Sequence, residues 1–115
     1  MKLKKVEAIF RPEHFQDLRN KLETIGVNGL TVSEVAGCGK QKGQKGVFRG
    51  SKFEITLVPK IKVEMVVENE KVDEIINIIQ SICRTNSVGD GKIFIIPIED
   101  AVRIRTGETG KQAIL

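Results

Sequence analysis

KKVEAIFRPEHFQDLRNKLETIG, residues 4–26, changes its period at Pro12. Before the proline, Val6, Ala8 and Phe10 alternate with other residues across 4–11, the spacing of a half-buried strand. After it, Phe15, Leu18, Leu22 and Ile25 recur at intervals of three, four and three, which lines one face of a helix. Proline is tolerated in a helix's first turn, and Gly26 stands where glycine commonly closes a helix. The stretch is a β-α unit. Working outward, LTVSEVA (30–36) reads as a second strand. Residues 53–67 read as extended chain around Pro59, with IKVEMVV (61–67) the clearest strand. Residues 69–84 follow as a helix with Val72, Ile75, Ile76, Ile79 and Ile82 on one face. TNSVGDG (85–91) is a turn and KIFIIPI (92–98) a strand. The order β-α-β-β-α-β predicts an α+β, ferredoxin-like fold. The remainder, 99–115, is expected to add a short strand near Val102 to Arg105 and then fray. No linker and no second domain are expected, so residues 1–115 read as a single domain.

The chain's 115 residues, 40% hydrophobic and 30% charged, support a small core and exclude a disordered tail. A domain this size buries only about two-thirds of its unfolded surface. Burial between subunits would help it. Ile93, Phe94, Ile95 and Ile96 are consecutive, and Met65, Val66 and Val67 behave alike, so both faces of those strands ask for cover. Two helices cover one face of a four-stranded sheet. The other face is expected to be apolar and closed by oligomerisation. No apolar run reaches the ~20 residues of a membrane helix. The basic start, MKLKKVEAIF, lacks an apolar signal core, so a cytoplasmic location is expected.

Net charge is +4, and its distribution is uneven. GCGKQKGQKGVFRGSK (37–52) carries Lys40, Lys42, Lys45, Arg49 and Lys52 with no acid, so it holds +5 and the remainder −1. Five glycines and no sustained period make it a long loop that seeks anions or a partner, or else a solvated loop.

Catalysis finds little to work with. His14 is the only histidine and is read as a surface residue. Cys38 and Cys83 form no CxxC pair; both are read as packing residues, Cys83 in the core. No carboxylate pair stands out, and no catalytic residue is assigned.

Phosphate binding is better served. In GDGK (89–92), Gly89 and Gly91 allow close backbone approach to an anion and Lys92 adds charge, although an ordinary Asp-Gly turn has the same composition. If 102–105 is extended, Arg103 and Arg105 share a face and form a clamp for phosphate oxygens; a solvated edge strand is the alternative. GCGKQKG is neither a P-loop nor GxGxxG. An RNA-binding module shares the element order, but KGVFRGSK (45–52) lacks the required aromatics, and the strands carry aliphatic residues where bases would stack. No nucleic-acid partner is expected.

Four stretches, LTVSEVAGCGKQKG (30–43), FRGSKFEITLVPKIKVE (48–64), VGDGKIFIIPIED (88–100) and VRIRTGE (102–108), together resemble the PII signal-transduction family, in order and spacing across essentially the whole chain. The resemblance implies a homotrimer with nucleotide sites in the clefts between subunits. ATP and ADP compete there, and 2-oxoglutarate binds alongside Mg-ATP. It implies that 37–57 is a long loop docking onto an ammonium channel or a nitrogen-metabolism enzyme or regulator, and that 84–92 is the nucleotide-binding turn. By similarity, Thr31, Gly37, Cys38, Gly39, Glu64, Gly89, Asp90, Gly91, Lys92, Arg103 and Arg105 serve the nucleotide. Gln41, Lys42, Gly43 and Lys60 serve 2-oxoglutarate, with Gln41 also the Mg²⁺ ligand. A PII-like regulator with another small ligand is the alternative. Many relatives are nucleotidylylated on a loop tyrosine whose place is taken here by Phe53, with Phe48 at the loop's other usual tyrosine. The chain has no tyrosine, so that modification is chemically impossible. Ser51 matches a serine that some relatives phosphorylate.

Overall fold

The structure is a computed structural model that describes residues 2–38, 46–47, 54–55 and 57–115. Strand β1 (Leu3–Phe10) leads through Pro12 into helix α1 (Phe15–Thr24) and then strand β2 (Thr31–Cys38). Two short strands, β3 (Gly46–Val47) and β4 (Glu54–Ile55), pair with each other ahead of the long β5 (Leu57–Glu68). Helix α2 (Val72–Cys83), strand β6 (Gly91–Ile98) and a one-turn helix α3 (Lys111–Ile114) complete the chain. The main sheet has the order β2-β5-β1-β6, antiparallel throughout, with both long helices on one face. This is the ferredoxin-like arrangement the period changes predicted.

Residues paired across an antiparallel ladder share a face. Val6 stands between Met65 and Ile95, and Ala8 between Val63 and Ile93. On that face Val6, Ala8, Phe10, Val63 and Met65 are buried against Leu18 and Leu22 of α1 and Ile75 and Ile79 of α2. Phe15, Ile25, Ile76 and Ile82 pack at its margin.

The opposite face departs from expectation. Its centre is charged: Lys5 pairs with Glu64, and Lys62 lies 3.2 Å from Glu7 and 3.8 Å from Glu64. Apolar exposure is confined to its β6 edge, where Phe94 and Ile96 are uncovered. Met65 and Val67 lie in the core, and only Val66 of that trio turns outward. The alternation Lys5-Val6-Glu7-Ala8 had this outcome written in it, because every second residue must face away from the core.

Two boundaries also shift. The β2–β5 ladder runs out to Cys38 opposite Leu57, so both ends of the expected 37–57 loop are paired strand. Backbone pairing needs no side-chain pattern, and these residues show none. The tail forms no strand at 102–105. Val102 bridges Thr109, the chain turns at 104–106, and 111–114 is helical rather than frayed.

Pro59 is accommodated by position. The last β1–β5 pair is Phe10 with Ile61, so beyond it one side of β5 has no strand to receive an N–H. That vacated side is where the site lies.

Candidate functional site

The site gathers at the end of β1. Pro12 stops the strand, and Arg11 stands just beyond it with extended backbone. The 85–91 turn folds over this end, and it is built around Asp90. The carboxylate of Asp90 accepts the backbone N–H groups of Thr85 at 2.7 Å, Asn86 at 2.9 Å and Ser87 at 3.4 Å, together with the Thr85 hydroxyl. These donors, and the Arg11 guanidinium beside them, hold the Asp90 carboxyl far below the usual range. Arg11 clips the turn down: Nη1 donates to Asp90 and to Thr85 Oγ1 at 3.0 Å, and Nη2 donates to the Val88 carbonyl at 2.9 Å.

Gly91 seats the turn on the sheet. It pairs with Phe10 at φ +111°, and a Cβ there would sit 1.8 Å from the Ile9 carbonyl oxygen. Gly89 also has positive φ. Both positions therefore require glycine for physical reasons.

Lys60 approaches from β5. It is only 7% exposed, and its Nζ donates to the Gly89 carbonyl. Burial first, and the charge of Arg11 second, lower its pKa. Gly37 lies against it: a Cβ at Gly37 would be 3.6 Å from Lys60 Cγ. The structure thus brings together Gly37, Lys60, Gly89, Asp90 and Gly91, five residues drawn from three separate sequence stretches. Lys92 is exposed beside them.

Two cavities flank this knot. One, of about 410 Å³, has an apolar floor at Ile76, Ile79 and Ile93 and a polar rim at Arg84, Gly91 and Lys92. The other, of about 570 Å³, lies at the root of the β2–β5 ladder, between Ala36, Leu57, Pro59 and Lys60. Thr31 and Glu64 are paired farther along the sheet, where Lys5 holds the Glu64 carboxyl below its ordinary range.

The arginine clamp is not formed as expected. Gly107 N–H donates to the Arg103 carbonyl at 2.7 Å, closing a turn through Arg105. Extended geometry, which would put the two guanidiniums on one face, is lost. Arg103 bonds within the tail, to Glu108 Oε1 at 3.4 Å and the Leu115 carbonyl, and neither arginine lines either cavity.

Two other readings change. Cys38 is exposed rather than packed, because Cys38–Leu57 is the ladder's last pair. His14 is half-buried, and its Nε2 is buried with no hydrogen-bond partner among the described residues. Cys83 is buried, and burial pushes its thiol up to about 11. Gly39, Gln41, Lys42, Gly43, Phe48, Ser51 and Phe53 lie outside the described residues. Among the described residues, no group of three or more His, Cys, Asp or Glu could hold a metal ion, and no helix is long and apolar enough to cross a membrane.

Sequence reasoning missed Arg11 and Thr85. The polar run TNS ahead of an Asp was a legible signal for an aspartate-centred turn. Arg11 carried no such signal, since its partners lie 74–79 residues away.

The family model described as nitrogen regulatory protein P-II matches residues 3–108. Nitrogen regulatory protein P-II of Cereibacter sphaeroides is 45% identical over 112 residues, covering 97% of this chain and all of the relative. Among solved structures, the Bacillus subtilis GlnK–ATP complex superposes with a TM-score of 0.81 at 39% identity, covering 97% of this chain and 95% of that one. Arabidopsis thaliana PII bound to citrate gives 0.78 at 40% identity, with 97% and 89% covered. The chain belongs to the nitrogen regulatory P-II family.

Proposed function

We propose that this P-II family member is a non-enzymatic, cytoplasmic signal transducer of nitrogen status. It binds ATP or ADP in clefts between the subunits of a homotrimer. With Mg-ATP it also takes 2-oxoglutarate, and it controls its targets through the 37–57 segment. The observation that carries this reading is the 85–91 turn, with its two positive-φ glycines and Lys92 beside a buried lysine. Backbone that can approach an anion closely, next to fixed cations, suits a polyphosphate. The GlnK relative solved with ATP supports the nucleotide, and the PII relative solved with citrate supports a carboxylate ligand.

Incompleteness of the site within one chain supports the trimer. Neither Arg103 nor Arg105 lines a cavity beside the 85–91 turn of its own chain, which supports a second wall supplied by a neighbouring subunit. The uncovered Phe94 and Ile96 on the β6 edge give that neighbour an apolar seat. In this arrangement Gly89, Gly91 and Lys92 hold the phosphates, Arg103 and Arg105 approach from the other subunit, and Thr31 and Glu64 receive the base and ribose. Gly37 and Cys38 close the site at the loop root, where Gly39 joins them. Lys60 pairs with a 2-oxoglutarate carboxylate beside Gln41, Lys42 and Gly43. Gln41 would hold Mg²⁺, a hard cation suited to an amide oxygen. Each ligand then tightens the other by the same factor.

Calorimetry tests this reading. ATP and ADP should bind alone, and 2-oxoglutarate should release heat only when Mg-ATP is present. Lys60→Ala should abolish the 2-oxoglutarate heat and keep ADP binding; equal loss of both would displace the carboxylate site. Nucleotide binding with no response to 2-oxoglutarate would favour a regulator with another small ligand. A chain that sediments as a monomer and ignores adenine nucleotides would overturn the proposal.

A further inference from the structure

The knot at the end of β1 holds two consecutive carbonyls of the turn on two different cations. Val88 C=O accepts from Arg11, and Gly89 C=O accepts from Lys60. In a trans peptide the C=O and the following N–H point in opposite directions. The Val88 carbonyl faces Arg11, so the Gly89 N–H faces away from it, and that N–H has no partner among the described residues. Asp90 does not serve as that partner: its oxygens collect three other backbone N–H groups, one hydroxyl and a guanidinium.

Resting on the nucleotide reading above, we infer that Arg11 is the positioning residue of the phosphate-facing turn. Without touching the ligand, its guanidinium ties the Val88 carbonyl and the Asp90 carboxylate to the end of β1, and so aims the Gly89 N–H outward. Arginine suits the task because one planar fork spans a carbonyl and a carboxylate together. Pro12 fixes the backbone it grows from, and the His14 N–H bonded to the Arg11 carbonyl at 3.1 Å closes that corner. Asp90 becomes the hub of the turn rather than a ligand contact. Both charges act on the nucleotide through the backbone they hold.

The experiment is calorimetry of the full chain with ATP and with ADP, on Arg11→Ala, Arg11→Lys, Asp90→Ala and the Arg11→Ala/Asp90→Ala pair. Hydrogen exchange of amides 86–91 is followed in parallel. Arg11→Ala should weaken both nucleotides by about tenfold, the scale of one lost charge-assisted bond. Lysine, which can hold one acceptor but not the fork, should recover part of that loss. Exchange at 86–91 should quicken, the salt dependence of ATP affinity should match wild type, and Arg11→Ala should cost little once Asp90 is already alanine. A direct phosphate contact would instead flatten the salt dependence and keep its full cost in the Asp90→Ala background; either result overturns the inference. Wild-type affinity in Arg11→Ala overturns it alone, whereas a wild-type chain that binds no nucleotide overturns it together with the reading it rests on.

Discussion

Two turns carry the residues assigned to phosphate, and they are held in opposite ways. The 85–91 turn is bonded to Arg11, 74–79 residues away, and rests on the β1 backbone through Gly91. The 102–110 turn is bonded to itself: Arg103 reaches Glu108, five residues on, and the Leu115 carbonyl, twelve residues on. The first turn is over-determined by the fold and cannot move without disturbing the sheet. The second is a surface feature in which Arg103 is set by local bonds only. The cleft proposed between subunits would combine both kinds, a rigid wall and a wall that a ligand can recruit.

The sharpest break of this contrast is a methyl group. Gly91→Ala meets the Ile9 carbonyl at impossible range and should cost about 3 kcal/mol or more in urea unfolding. Gly107→Ala, also at positive φ but with nothing within 4 Å, should cost only about 1–2 kcal/mol. Equal costs would mean that the two turns are held alike.

Ligand binding should separate them in the other direction. Arg103→Ala should weaken ATP by about tenfold, as expected for a lost phosphate contact, and leave the unfolding midpoint nearly unmoved, because its bonds are exposed and local. A large fall in the midpoint would make Arg103 structural instead.

Strong acid should loosen the first turn. The folded pKa of Asp90 is depressed, so its contribution is complete above the ordinary Asp range, about 4, and drains away as pH falls toward the folded value. Exchange at amides 85–87 should therefore accelerate below about pH 4 in wild type, and Asp90→Asn should remove that pH dependence. An unchanged acid response in the variant would assign it elsewhere.

The smallest effect is a labelling rate. Cys38 is exposed at the loop root, whereas Cys83 sits under the rigid turn with its thiol pushed up to about 11. At pH 8 only about a thousandth of Cys83 is thiolate, and the thiolate is what reacts. Iodoacetamide with mass spectrometry should find Cys38 alkylated first, with ATP slowing it. Comparable rates would show the Cys83 side opening readily.

Much of the fold was legible because its signals are short-range. The switch at Pro12 from alternation to helical spacing located β1 and α1, and the isoleucines of α2 located its buried face. The glycines of GDGK were legible as a turn, because glycine takes positive φ without steric cost, but the same composition also fits an ordinary Asp-Gly turn. The charged centre of the open face was legible too, in the alternation of β1, yet the consecutive isoleucines of β6 drew attention to an apolar one. The arginine clamp failed on conformation: i and i+2 share a face only in extended chain, and Gly107 closes a turn there instead.

The amino-acid order alone therefore determined the element order, the helix-covered face of the sheet, the exclusion of tyrosine chemistry and the membership of the P-II family. Each of these is a property of neighbours in the chain, or of composition. Only the tertiary structure decided that Arg11 and Lys60 hold consecutive carbonyls of the 85–91 turn, and that Asp90 looks inward. Those contacts join residues tens of positions apart, through the gap left where β1 ends and β5 continues. Nothing in a local pattern records which distant side chain will fill such a gap.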